Sequence, residues 1–121
     1  MILGDNETSI ANLRTVVRNF VNERCWEKYH NPKDVAESIC IEAAELLEIF
    51  QWVSGEESLS WRNVSSKADQ IREELADVLI YCLSMANVMD IDLSKAVEKK
   101  VKNNSIKYPV KEYRGIARRE Q

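Results

Sequence analysis

The stretch Ser38–Trp52, SICIEAAELLEIFQW, decides the fold. It contains no Gly or Pro, and its apolar residues recur three and four positions apart, so the spacing predicts a helix. Wound at about 100° per residue and extended back to Val35, it gathers Val35, Ile39, Ala43, Leu46, Leu47 and Phe50 on one broad apolar arc. Glu37, Glu48 and Gln51 fall opposite, towards water. Glu42 breaks the division, because it projects between Val35 and Ile49 at the edge of the apolar arc. Glu45 follows one turn on, with Trp52 near it on the same flank.

Outward from this stretch, four helices are expected. The first runs from about Ser9 to Tyr29, on the recurrence of Ile10, Leu13, Val16, Val17, Phe20 and Val21. HNPKD then restarts the chain: Asn31 is a good N-cap, Pro32 suits the first helical position and Asp34 the first turn. The second helix runs from Pro32 to about Val53. SGEESLSWRNVSS is polar and Ser-rich and predicts a loop or short irregular segment. The third helix spans about Ser66 to Met89. Asp92 caps a fourth, Leu93 to about Ile106, and Pro109 ends it.

The third helix repeats the oddity of the second. EELADVLIYCLSMANVM is apolar nearly all round after Asp77, which places it centrally, yet Glu74 projects between Tyr81 and Met85, and Asp77 beside Ser84 and Val88. Glu73 points to the wet side. Two neighbouring helices therefore each carry an acid pair at i, i+3 against the core.

The bulk numbers narrow the class. A chain of 121 residues fits one domain with one core, and 45% hydrophobic with 31% charged residues is a soluble mixture. Three Gly and two Pro favour long helices over a many-stranded sandwich. A net charge of −3 disfavours non-specific nucleic-acid binding. Cys25, Cys40 and Cys82 form no C-x-x-C pattern and are expected as reduced core residues of a cytoplasmic protein. MILGDNETS has neither the basic nor the apolar region of a secretory signal, and the longest uncharged run, Val78 to Met89, is too short to span a bilayer, so no membrane partner is expected.

Inward carboxylates are costly unless something compensates them. Bases could pair with them, but neither helix offers Arg or Lys on that flank after Arg72. All four could stay protonated, which is hard near neutrality. Otherwise divalent cations lie among them. Oxygen donors without His or Cys suit Mg²⁺, with Mn²⁺ as substitute, better than Zn²⁺. Magnesium is commonly shared with substrate phosphates, which points to a nucleotide or other phosphorylated ligand. The plain alternative is that an E-x-x-E on a helix is solvated surface; the second pair on the next helix weighs against it.

At these residues the chain resembles the all-α nucleoside triphosphate pyrophosphatases, in particular the MazG-like branch and its dCTP pyrophosphatase group. The similarity runs from about Phe20 to Arg119. It includes CWEKYHNPKD, EIFQW, EELADVLIY and KVKNNSIKYP. The resemblance implies a four-helix bundle whose subunits form tight dimers or dimers of dimers, up to a homotetramer. It implies hydrolysis of a (d)NTP to the monophosphate and pyrophosphate with Mg²⁺, favouring dCTP or related deoxynucleotides, as house-cleaning of nucleotide pools. Residue by residue, Glu42, Glu45, Glu74 and Asp77 match its metal-binding, catalytic acids. Lys100, Asn104, Lys107 and Tyr108 match phosphate-holding positions; Phe20, Trp26, His30, Trp52 and Tyr81 match the base and sugar pocket. Arg114 and Arg118 resemble a basic tail, although the tail departs from the usual G-S-A-K-K and ends early.

The chemistry of the residues agrees with such a reaction. Triphosphate hydrolysis needs neutralised phosphoryl oxygens and a water held in line, with Glu45 or Glu42 available as proton acceptor. Lys100, Lys107 and Arg114 could stabilise departing pyrophosphate. Each also has a plain role: a lysine-rich helix as a solvated face, Trp26 and Trp52 as core rim, His30 as a helix-end residue. Trp61 receives no role. Two rival functions stay open. A carboxylate-bridged di-iron bundle would use Glu27-x-x-His30, but needs two such motifs per site and the chain has one His. A non-enzymatic helical interaction module would merely solvate its acids.

Overall fold

A computed structural model describes residues 2–116. Helices form α1 (Ile10–Glu23), α2 (Pro32–Glu48), α3 (Gly55–Ser60), α4 (Ser65–Met89), α5 (Leu93–Lys107) and α6 (Val110–Tyr113), with 3-10 turns at Glu27–Tyr29 and Trp61–Asn63. No strand occurs among the described residues, so the all-α class holds. The chain divides into two compact units, one up to Asp90 and one from Ile91.

Local chemistry sets the helix starts. Ser9 Oγ accepts from the Asn12 amide at 3.0 Å while Asn12 Oδ1 accepts from the Ser9 amide at 2.9 Å, a reciprocal capping box. Asn31 Oδ1 accepts from the Asp34 amide and Asp92 Oδ1 from the Lys95 amide, each at 3.0 Å, as expected of those two caps.

The first helix ends earlier than its expected limit at Tyr29. After Glu23 the chain turns at Cys25, which takes a left-handed φ of 52°. The Cys25 amide donates to the Asn22 carbonyl at 3.0 Å and the Trp26 amide to the Val21 carbonyl at 3.1 Å, the paired bonds of a Schellman termination. Glycine usually marks that position, and none is present. The expected loop after α2 also needs correction, because it folds as α3: Ser54 Oγ caps the Glu57 amide at 3.1 Å, and Glu56 and Glu57 occupy the favourable first turn. Trp61 then stacks on Phe50, with ring centroids 5.6 Å apart at 23°, tying the connection to the end of α2.

In the first unit α4 packs against both α2 and α1. The acids in the C-terminal half of α2 meet the first half of α4, while His30, just before α2, shares a cavity with Ser84 and Val88 near the end of α4. The two helices therefore run antiparallel. Val17, Val35, Ala68, Leu83 and Ala86 are buried, Val35 to 1% exposure. Two expectations fail here. Leu47 is 66% exposed despite its place on the predicted apolar arc, and Cys25 and Cys40 lie at the surface, with Cys82 half-buried. A side chain at the margin of a helical arc is buried only if a neighbour reaches it.

The second unit holds α5 and α6. Tyr108 and Tyr113 meet edge-on at 5.2 Å, and the Tyr108 amide donates to the Asn104 carbonyl at 2.8 Å. No described helix is long and apolar enough to cross a membrane.

Candidate metal and nucleotide site

Glu42 and Glu45 of α2 meet Glu74 of α4. One carboxylate oxygen from each lies within 4.8 Å of the others. The i, i+3 spacing puts each helix's pair on one flank, and the antiparallel packing brings the flanks together. Asp77 is not one of the three converging groups, but it sits close enough for its charge to act on both Glu42 and Glu74.

The electrostatics follow from crowding. Burial, a hydrogen bond to Glu45 and the charges of Glu45, Asp77 and Glu74 push the Glu42 carboxyl from 4.5 up to about 7. Burial, then Glu45 by charge and hydrogen bond, then Asp77 and Glu73, also raise Glu74. Among the described residues no ion pair offsets them: those present lie elsewhere, and Arg72 pairs with Asp69. Glu42 Oε2 and Glu74 Oε2 are buried without a hydrogen-bond partner. Buried carboxylate oxygens that are crowded and orphaned fit a hard divalent cation, Mg²⁺ or Mn²⁺, which would accept both lone-pair sets at once.

The other expected site residues are distributed as follows. Tyr81 lies one turn beyond Asp77 on α4 and is half-buried. Phe20 and Trp26 meet edge-on, with centroids 5.8 Å apart at 77°, and the Arg24 guanidinium lies 3.8 Å over the Phe20 ring. His30 Nδ1 is 2.8 Å from the Trp26 carbonyl. Trp52 stands 88% exposed in the turn after α2. Lys100, Asn104, Lys107 and Tyr108 follow one another along α5 and its C-cap, and Lys107 Nζ lies 5.2 Å from the Tyr108 ring. Arg114 caps α6. Arg118 lies outside the described residues. The di-iron pair Glu27 and His30 occupies a 3-10 turn and its cap, and neither belongs to the carboxylate cluster, which removes the ligand set that reading required.

Sequence reasoning missed a group of polar residues beside His30. Arg18, Asn22, Glu27, Ser84 and Asn87 line a cavity with it. They come from three separate segments, and only the fold collects them.

With this geometry in place, the comparisons with known proteins are informative. A family model described as MazG-like matches residues 37–120. The chain is 36% identical to dCTP pyrophosphatase 1 of Rattus norvegicus over 113 residues and 33% identical to that of Homo sapiens over 114 residues. These matches cover 92% and 93% of this chain but 65% and 66% of the relatives. The chain thus spans about two thirds of the length of the curated relatives it matches. A crystal structure of a pyrophosphatase from Archaeoglobus fulgidus superposes with a TM-score of 0.78 at 40% identity, covering 89% of this chain and 99% of that one.

Proposed function

This chain belongs to the MazG-like family, and from that premise we propose that it is a nucleoside triphosphate pyrophosphohydrolase, converting a (d)NTP and water to the (d)NMP and pyrophosphate. The observation that carries the reading is the uncompensated meeting of Glu42, Glu45 and Glu74, with Asp77 beside them. The names of the rat and human relatives favour dCTP, or a related or modified deoxynucleotide, as substrate.

Glu42, Glu45, Glu74 and Asp77 would hold Mg²⁺, or Mn²⁺ in its place. When bound, the metal supplies positive charge for phosphoryl oxygens and lowers the pKa of a coordinated water. Glu45, the most exposed of the three converging acids, is placed to accept a proton from water at the cluster's open side. Tyr81, next along α4, would close the site towards the sugar. Phe20, Trp26 and Trp52 offer ring faces to a base, worth about 1–3 kcal/mol for each stacked base. Lys100, Asn104, Lys107, Tyr108 and Arg114 carry phosphate-binding roles on sequence resemblance alone, and the whole chain is treated as one catalytic domain.

The reading includes a homo-oligomer, dimer or dimer of dimers. Its support is the exposure of Val16, Phe20, Leu79 and Ile80 along a shared apolar groove of α1 and α4. A cytoplasmic role in cleansing nucleotide pools completes it.

The test is a panel of canonical and modified (d)NTPs with Mg²⁺, reading monophosphate, pyrophosphate and orthophosphate. Equal release of monophosphate and pyrophosphate, abolished by a chelator, is the expected result. Diphosphate with orthophosphate would place the cleavage elsewhere, and no turnover of any triphosphate would refute the activity.

A further inference from the structure

Helix α2 carries a second apolar strip, turned away from its acids. At about 100° per residue, Ala36, Cys40, Ala44 and Leu47 fall within about 80° of one another, while Glu42 and Glu45 project to the other side. Ala36, Cys40 and Ala44 lie at the surface, Leu47 is 66% exposed, and Ile41, beside the strip, is 58% exposed. Lys33, Ala36, Glu37, Cys40 and Ile41 border a shallow groove along it. Apolar side chains gathered in this way on one exposed helix face mark a contact surface.

The pattern along the strip points to its occupant. Ala36, Cys40 and Ala44 are small and recur every fourth residue, so another helix can lie close against them. Charge is graded from end to end. Lys33 stands at the N-terminal end of the strip and Glu48 at the C-terminal end, about 22 Å apart along the axis. Lys33 Nζ lies 3.9 Å from Glu37 Oε1, with the lysine side chain 85% exposed. Glu48 has no ion pair among the described residues. A strip with opposite charges at its two ends is complementary to itself turned end for end.

We propose that this face of α2 pairs with the same face of a second copy of the chain, antiparallel about a two-fold axis at Cys40. The symmetry sets Ala36 against Ala44 of the second copy and Lys33 against its Glu48, each contact made twice. At an interaxial separation of about 10 Å, with Cα atoms ~2.3 Å off each axis, the two Cys40 Cα atoms stand roughly 5 Å apart. That lies within the ~4.4–6.8 Å that a disulfide spans. The face is opposite the carboxylate flank, so the pairing leaves the proposed metal site open. It rests on the homo-oligomer reading only in requiring that copies meet, and it uses none of the residues of the α1–α4 groove.

The test is disulfide trapping of the full chain with oxidised glutathione. Two Cys40 thiols are oxidised to one disulfide, and one glutathione disulfide takes up their two electrons and two protons to become two thiols. Cys25 is also exposed, so it is replaced by Ser in every sample. The parent should give a covalent dimer, and Cys40→Ser should give none. Lys33→Glu sets acid against acid and should slow crosslinking about fivefold, and adding Glu48→Lys restores the pairs in reverse and should recover the rate. Ala44→Glu should abolish the crosslink without changing the far-UV circular dichroism, because Ala44 is exposed and Glu is a good helix former.

Absence of a Cys40-dependent dimer would overturn the proposal and leave the face to a different protein. Crosslinking at the parent's rate in both Lys33→Glu and Ala44→Glu would overturn it as well. The readout needs neither nucleotide nor metal, so it stays decisive if the protein hydrolyses no triphosphate. The α1–α4 groove is judged apart, by sedimentation of Ile80→Glu, which reports on that contact while the crosslink reports on α2.

Discussion

Around Glu74, α4 meets carboxylates; two turns on, around Ser84, it meets a guanidinium, an imidazole, two amides and one carboxylate. Both surroundings are partly buried and both leave an oxygen orphaned, Glu42 Oε2 and Glu74 Oε2 at one station and Ser84 Oγ at the other. They differ in what could complete them. Excess like charge with no ion-paired base among the described residues calls for a cation from outside the chain. A mixture of donors and acceptors is close to balanced and calls for a neutral polar edge. One helix face thus passes from a place for charge to a place for hydrogen bonding.

The largest effect that would break this contrast is a loss of chemistry at one station without a change at the other. Glu45→Gln should lower pyrophosphate release by at least ~100-fold, since even groups that only orient metal ligands act on that scale. Wild-type turnover in this variant would remove Glu45 from the site.

A second contrast separates two tryptophans. Trp61 stacks on Phe50, whereas Trp52 stands almost wholly in solvent. Trp61→Ala should lower unfolding free energy by about 2 kcal/mol, combining lost area with lost ring pairing. Trp52→Ala should change it by less than about 0.5 kcal/mol while raising the KM for the nucleotide. Denaturant melts of both variants check the pair, and equal destabilisation would contradict it.

A smaller effect comes from protons. Glu42 titrates at about 7 in the folded chain against an ordinary 4.5, so the folded state keeps a proton that the unfolded state releases. Its contribution to stability is full below pH 4.5, declines as pH rises to about 7, and is gone above that. Metal-free protein should therefore melt lower at pH 8 than at pH 5, with a smaller drop in Glu42→Gln. An equal drop in both would assign the pH dependence to other groups.

Much of this was legible in the sequence where the physics is local. The caps at Asn31 and Asp92 need only their own side chain and an amide three residues on, and the acid pairs declare themselves through i, i+3 spacing against an apolar arc. The end of α1 was not legible, because Cys25 adopts a backbone conformation that its side chain does not advertise. The helix α3 carried a signal, Ser54 three residues before Glu57, outweighed by a Ser-rich composition that resembles a loop. The cavity was illegible for a different reason. Arg18, Glu27, His30 and Ser84 are ordinary residues one at a time, and only tertiary packing makes their polarity converge.

The most direct measurement is calorimetric titration of Mn²⁺ or Mg²⁺ into metal-free protein at pH 8, with thermal melts of the same samples. The account predicts saturable binding, weakened below pH 7 as Glu42 takes up its proton, with stabilisation reaching ~2.7 kcal/mol at a hundred times Kd. Glu42→Gln and Glu74→Gln should lose most of that affinity. Metal that fails to bind or to raise the melting temperature, or that binds both variants as tightly as wild type, would contradict it.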